Sequence, residues 1–259
     1  MTATGLKFSP GNHQYRLDGK PVPSVTTLLG KGLPKPALTY WSAKMVAEFV
    51  ADNEADVEAL RRMGRGPMVN ALKGVPWEKR DTAAVRGTDV HALAEHLIHG
   101  EEVQVPEHLT EYVKGYVAWL DEWEPEVLLT ERLVANRHWF YAGKFDVIYR
   151  LRDGRVVLAD NKTSGGIYGD TACQLAAYNG AEFYVDDNAD EQPMPATDGL
   201  AVIHITPGET LLYPIREPDD AWKTWLHIAW VAKSVDRIKA QIGEPATAPT
   251  HLQTKGKIA

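Results

Sequence analysis

The hydrophobic period of this chain changes at Val127, and that switch constrains the fold more than any other feature. Upstream, apolar residues recur at helical spacing. Trp41, Met45, Val46, Phe49, Val50, Val57 and Leu60 do so within 38–62, ending near Gly64 and Gly66. Leu109, Tyr112, Val113, Tyr116, Val117 and Leu120 do so within 107–123. Residues 83–99 read as a further helix, and Pro23-Ser24 caps a short helical run over 25–29. A small hairpin precedes it at 13–22, turning at Asp18-Gly19. Downstream of Val127 the period falls from about 3.6 to about 2. Strands are expected at 128–135, 139–150 and 155–162, then a helix over 169–184, strands at 199–205 and 209–215, and a closing helix over 219–242. Helices, a β-meander, a helix, two strands and a helix describe an α/β or α+β core with a helical N-terminal elaboration. The expected division is 1–126 for the hairpin and helical region, 127–243 for the core and 244–259 for a flexible tail, integrated into one domain.

The meander carries unexpected charge. Two aliphatic strands meet at the Asp153-Gly154 turn, and each ends in charged residues where a buried strand should stay apolar: Asp146 on one, Asp160-Asn161-Lys162 on the other. Asp160 and Lys162 are two apart and share a face. A two-residue loop would pair Asp146 with Asn161 and turn it to the wrong face. A three-residue loop from Arg152 to Gly154 pairs Leu151 with Arg155 and Asp146 with Asp160, bringing the carboxylates to roughly 5 Å at Cβ. We expect the second; a bulge or bend before Val147 is an alternative that keeps the chemistry. Adjacent buried carboxylates repel unless a cation sits between them. Carboxylate oxygens, a backbone carbonyl and waters suit Mg²⁺ or Mn²⁺, and Lys162 would orient water and offset charge on phosphorus oxygens. The competing reading is a solvated hairpin end with a surface Asp–Lys pair.

Composition narrows the classes. The net charge of −7 is unlike most nucleic-acid-binding domains, but residues 31–86 hold ten Lys or Arg against seven acids. Cys173 is the single cysteine, which rules out an internal disulfide and a cysteine-only zinc or iron–sulfur site. No apolar run is long enough to span a membrane, and the start does not resemble a signal peptide, so a cytoplasmic protein is expected. The chain has no phosphate-binding loop and no Gly-x-Ser-x-Gly elbow. His91 and His96 are five apart, not the four of a zinc-protease helix. His96 and His99 read as surface residues, Gly64-Arg65-Gly66 as a loop, and Trp222, Trp225 and Trp230 as core packing on the last helix.

Together these stretches resemble the RecB-like branch of the PD-(D/E)XK nucleases, which includes phage-encoded exonucleases, over residues 24–185. Gly143-Lys144-Phe145-Asp146 is similar to that family's Gly-x-x-Asp strand, and Asp160-Asn161-Lys162-Thr163 to its Asp-x-Lys-Thr strand. Gln174-Leu175-Ala176-Ala177-Tyr178 is similar to its Gln-x-x-x-Tyr helix, Arg86-Gly87-Thr88-Asp89-Val90-His91 to its histidine helix, and Ser24-Val25-Thr26 to its N-terminal segment. The resemblance implies a restriction-endonuclease-like core, with a central mixed sheet flanked by helices. It implies a magnesium-dependent deoxyribonuclease, an exonuclease above all, acting in DNA recombination, repair or phage replication, with Mn²⁺ substituting. Asp146, Asp160 and Lys162 would be catalytic; His91, Asp146, Asp160 and the Asn161 carbonyl would bind metal. Gln174 and Tyr178 would contact the DNA backbone or steady the lysine, with Glu131, Arg86 and Thr163 as further DNA-contacting or supporting residues. DNA is the implied partner, with a single-strand annealing or recombination protein as a further one that the resemblance suggests, in the host cytoplasm for a phage-encoded chain. Phe145 stands where the superfamily's name puts proline and Asn161 where an apolar residue is usual. The four cysteines of some relatives are absent, so no iron–sulfur cluster is expected. A catalytically silent DNA-binding module and an endonuclease or junction resolvase are the alternatives.

Overall fold

The Asp153-Gly154 turn sets the geometry of the middle of the chain in the computed structural model, which describes residues 5–247. Leu151 N–H donates to the Arg155 carbonyl at 2.9 Å and Gly154 N–H to the Leu151 carbonyl at 2.8 Å. Gly154 takes φ +87°, open to glycine without steric cost. This loop pairs β7 (Val147–Arg150) with β8 (Val156–Lys162) so that Val147 faces Ala159 and Arg150 faces Val156. That is the register of the three-residue loop.

Three further strands complete the central sheet. β4 (Glu126–Thr130) lies antiparallel to β7. β11 (Gly199–Thr206) runs parallel to β8, and β12 (Glu209–Pro214) antiparallel to β11, giving the order β12-β11-β8-β7-β4. A parallel neighbour needs a long crossover, and α6 (Asp170–Asn179) supplies most of its helical part. The β8 run Val156-Val157-Leu158-Ala159 is apolar because both faces are covered. On one face Leu158, Ile148 and Val202 meet α1 (Val25–Gly32), α6 and α7 (Pro218–Lys239). On the other, Val157, Ala159, Val147 and Tyr149 meet α5 (Thr110–Trp123) and the C-terminal end of α4 (Arg65–Ile98) through Tyr116, Trp119, Val90 and Ala94. The fold is thus α/β with a mixed sheet between helical layers.

Two of the expected strands each break in two. Thr130 faces Val147, and Leu133 of β5 (Leu133–Asn136) faces Lys144 of β6 (Tyr141–Lys144), so the ribbon keeps its register across the break. Between them Glu131 adopts φ +52°, and the ribbon leaves the central sheet. Glu131 N–H still donates to the Asp146 carbonyl at 2.8 Å and Phe145 N–H to the Arg132 carbonyl at 3.2 Å. The outer half of the ribbon joins β9 (Phe183–Val185) and β10 (Glu191–Pro193) in a second sheet. Tyr141, Phe145, Val147 and Tyr149 keep one parity across the break, while the polar run Thr130-Glu131-Arg132 interrupts the partner strand there.

The N-terminal hairpin forms as expected, with β2 (Gln14–Leu17) and β3 (Lys20–Val22) joined by Asp18 and Gly19, both at positive φ. A further strand, β1 (Leu6–Ser9), pairs with β2. Ser24 caps α1 by accepting from Thr27 N–H at 3.0 Å. The helix expected over 38–62 is interrupted at Asn53, giving α2 (Pro36–Asp52) and α3 (Glu54–Arg62). The helix expected over 83–99 begins far earlier, at Arg65, and runs through Gly74 and Pro76. Its glycines and proline hid the helical pattern upstream, and Arg65 and Gly66 lie in helix, not loop. The helix expected over 169–184 ends at Asn179, where Gly180 lets the Trp222 ring approach closely. Trp225 is buried as expected, Trp222 is partly so, and Trp230 is instead exposed. Trp225 and Trp230 are five residues apart, about 140° around the helix, so one core cannot take both. Residues 244–247 carry no regular structure; the rest of the expected flexible tail lies outside the described residues. No described helix is long and apolar enough to cross a membrane.

Candidate active site

The charged residues predicted from the meander gather where the ribbon bends out of the sheet. Asp160, near the end of β8, is 1% exposed. Gln174 on α6 donates Nε2–H to its Oδ1 at 2.8 Å, and the Lys162 ammonium lies 2.5 Å from its Oδ2. That Oδ2 is buried and accepts no aligned hydrogen bond, so the lysine makes an ion contact only. Asp146 sits just before β7, at the position the register sets opposite Asp160, and its Oδ2 accepts from Asn161 N–H at 2.9 Å. Burial pushes the Asp146 carboxyl up to about 8, and the neighbouring Asp160 carboxylate pushes the same way. The Asn161 N–H and Lys162 oppose that rise without cancelling it.

His91 comes from α4, with Nδ1 3.8 Å from Asp146 Oδ2. Burial holds its imidazole below the usual range, so it is biased toward the neutral form that can ligate. Gly87, one turn earlier, fits against β8: a Cβ there would lie 3.1 Å from Thr163 Oγ1. Glu131, at the bend, pairs with Lys144. Arg86 rests over the Tyr112 ring with Nε buried and without a partner. Tyr178 is buried, its ring packed where Gly143 leaves no room for a Cβ, and its hydroxyl accepts a long bond of 3.4 Å from Gln174. Gln174, which is partly buried, therefore holds Asp160 and reaches the Tyr178 hydroxyl from the same side chain. Glu95, which sequence reasoning passed over, lines the same small cleft as His91, Glu131, Asp146 and Asn161. Its position one turn after His91 was the available signal.

Among the described residues, no three His, Cys, Asp or Glu side chains are already arranged to hold a metal ion. The donor set nevertheless fits a hard cation. Asp160 Oδ2 is buried without an aligned hydrogen bond and has only the Lys162 ammonium beside it, and the two carboxylates repel in the absence of further positive charge between them. Asp146 and Asp160 are the residues best placed to hold it, with His91 adjacent.

No family model matches the sequence, and comparison with curated proteins finds no match. A solved structure titled "Crystal structure of SSO0001" is similar at 20% identity with a TM-score of 0.28; the match covers 49% of this chain and 57% of that one. The chain thus spans little more than half of that protein, and a likeness so weak carries no argument about fold or function.

Proposed function

We infer that the chain is a divalent-metal-dependent deoxyribonuclease, of exonuclease type, on a restriction-endonuclease-like core. The observation that supports this most is a buried carboxylate, Asp160, facing a second at Asp146, with one oxygen that accepts no hydrogen bond and meets only the Lys162 ammonium. Structural surface pairs do not need this burial, and it opposes stability unless a cation joins them. Asp146, Asp160 and the Asn161 carbonyl would hold Mg²⁺ or Mn²⁺, with His91 close by. Bound there, the ion would acidify a water and polarise a phosphodiester. Gln174 fixes the Asp160 carboxylate in one orientation. Lys162, tethered by its contact with Asp160, stands ready to orient the attacking water and to balance charge growing on the phosphorus oxygens.

Digestion of linear single- and double-stranded DNA with Mg²⁺, with Mn²⁺ and with EDTA tests the reading. Hydrolysis is expected with either metal and not with EDTA, and Lys162→Ala should slow it by roughly a hundredfold or more. Full activity in that variant would refute the mechanism. That no three ligand side chains yet converge favours a second reading, a catalytically silent DNA-binding module. DNA binding without hydrolysis under any metal would select it, and cleavage of circular DNA would point to an endonuclease instead.

A further inference from the structure

We propose that one face of α4 is a track for an unpaired DNA strand, with Trp77 and Arg80 as a base-stacking platform remote from the acidic pair. The inference rests on the nuclease reading and assigns residues that the reading does not use. At 3.6 residues per turn, Trp77, Arg80, Ala84, Gly87 and His91 all fall within about 40° of the line through His91 along the helix, and Lys73 continues that line one turn beyond Pro76. The buried residues Val75 and Val90 point elsewhere. The stripe therefore begins at the candidate active site, where Gly87 touches Thr163 and His91 approaches Asp146. It then runs outward along the helix into solvent.

Its outer end has the chemistry of a stacking site. Trp77 is 57% exposed, and the Arg80 guanidinium lies 4.4 Å from its ring centre. Asp81 holds that guanidinium with bonds of 2.9 and 2.6 Å to Arg80 Nε and Nη2. Arginine covers one face of the indole and leaves the stack open to a base, which every nucleotide can supply. Lys73, one turn further out, makes no ion pair among the described residues and suits a phosphate. Pro76 precedes the platform, so the helix from Trp77 to His91 is not interrupted by it. Fourteen residues at about 1.5 Å each put Trp77 about 21 Å from His91, the reach of about six stacked nucleotides at 3.4 Å each. Paired bases hide their faces, so the fit is to a single strand.

Fluorescence anisotropy of labelled oligothymidylates in EDTA tests this with the full chain. One oligomer of roughly 15 nucleotides can span the track and one of about 3 cannot. Trp77→Ala should weaken binding of the longer oligomer about tenfold, Trp77→Phe should restore most of it, and the short oligomer should bind both proteins alike. Lys73→Ala should lower the slope of log affinity against log salt by about 0.7. Equal affinity of Trp77→Ala and the unaltered chain for the longer oligomer would overturn the proposal. So would an equal loss for both lengths, or for duplex, which would make Trp77 a structural residue. Digestion separates the two readings. Trp77-dependent binding without hydrolysis under any metal keeps the track and loses the nuclease; hydrolysis with Trp77-independent binding loses the track alone.

Discussion

Asp146 is a residue whose burial works against the fold that buries it. Its carboxyl is raised to about 8 in the folded chain, against about 3.9 for an unfolded aspartate. Between those values the folded state holds a proton that the unfolded state has released, so stability falls as pH rises from about 4 to about 8. Without metal, thermal melting in EDTA should show that fall, and Asp146→Asn should flatten it, because the amide oxygen still accepts from Asn161 N–H and carries no charge. A variant as pH-sensitive as the unaltered protein would mean that Asp146 is not the group responsible. The two acids differ in their partners. Asp160 is held by Gln174 and Lys162, whereas Asp146 has one backbone donor and an imidazole 3.8 Å away.

At the scale of elements, the ribbon through Glu131 and Asp146 matters most, because its bend places an acid at the sheet's end. The turn at Asp153-Gly154 was legible but not its length: glycine suits both a two- and a three-residue loop, and the three-residue register was chosen because it alone brings Asp146 opposite Asp160. The bend was not legible: Tyr141, Phe145, Val147 and Tyr149 keep one parity through it, and the polar run Thr130-Glu131-Arg132 opposite does not by itself specify a turn out of the sheet. What marks it is a backbone angle at Glu131 that no side-chain period encodes. The α6 helix, in turn, reaches Asp160 only because β6 yields space at Gly143. A Cβ there would lie 2.5 Å from Tyr178 Cε1. Gly143→Ala should therefore displace the ring and the Gln174 beneath it, costing about 1–3 kcal/mol in urea unfolding. An unchanged midpoint would show that the ring can move aside freely.

Across the whole molecule, the chain's order of elements was readable because the period switch at Val127 divides helical from sheet-forming sequence. The α/β class followed from it, while the mixed sheet flanked by helices was implied by the family resemblance. Less legible was the reach of α4, whose glycines and Pro76 look like breakers yet lie within one long helix. That helix carries His91 to the sheet's end, so the candidate site is assembled from three distant stretches of sequence. Asp146 and Asp160 were found by local pattern and Gln174 by resemblance, while Glu95 needed the helix to be in place. The central claim is that these stretches together grip a divalent cation. Calorimetric titration with Mn²⁺ tests it most directly. The account predicts one ion bound per chain, binding lost in Asp146→Asn and in Asp160→Asn, and binding kept in Lys162→Ala. No binding at millimolar Mn²⁺, or binding that survives both acid substitutions, would contradict it.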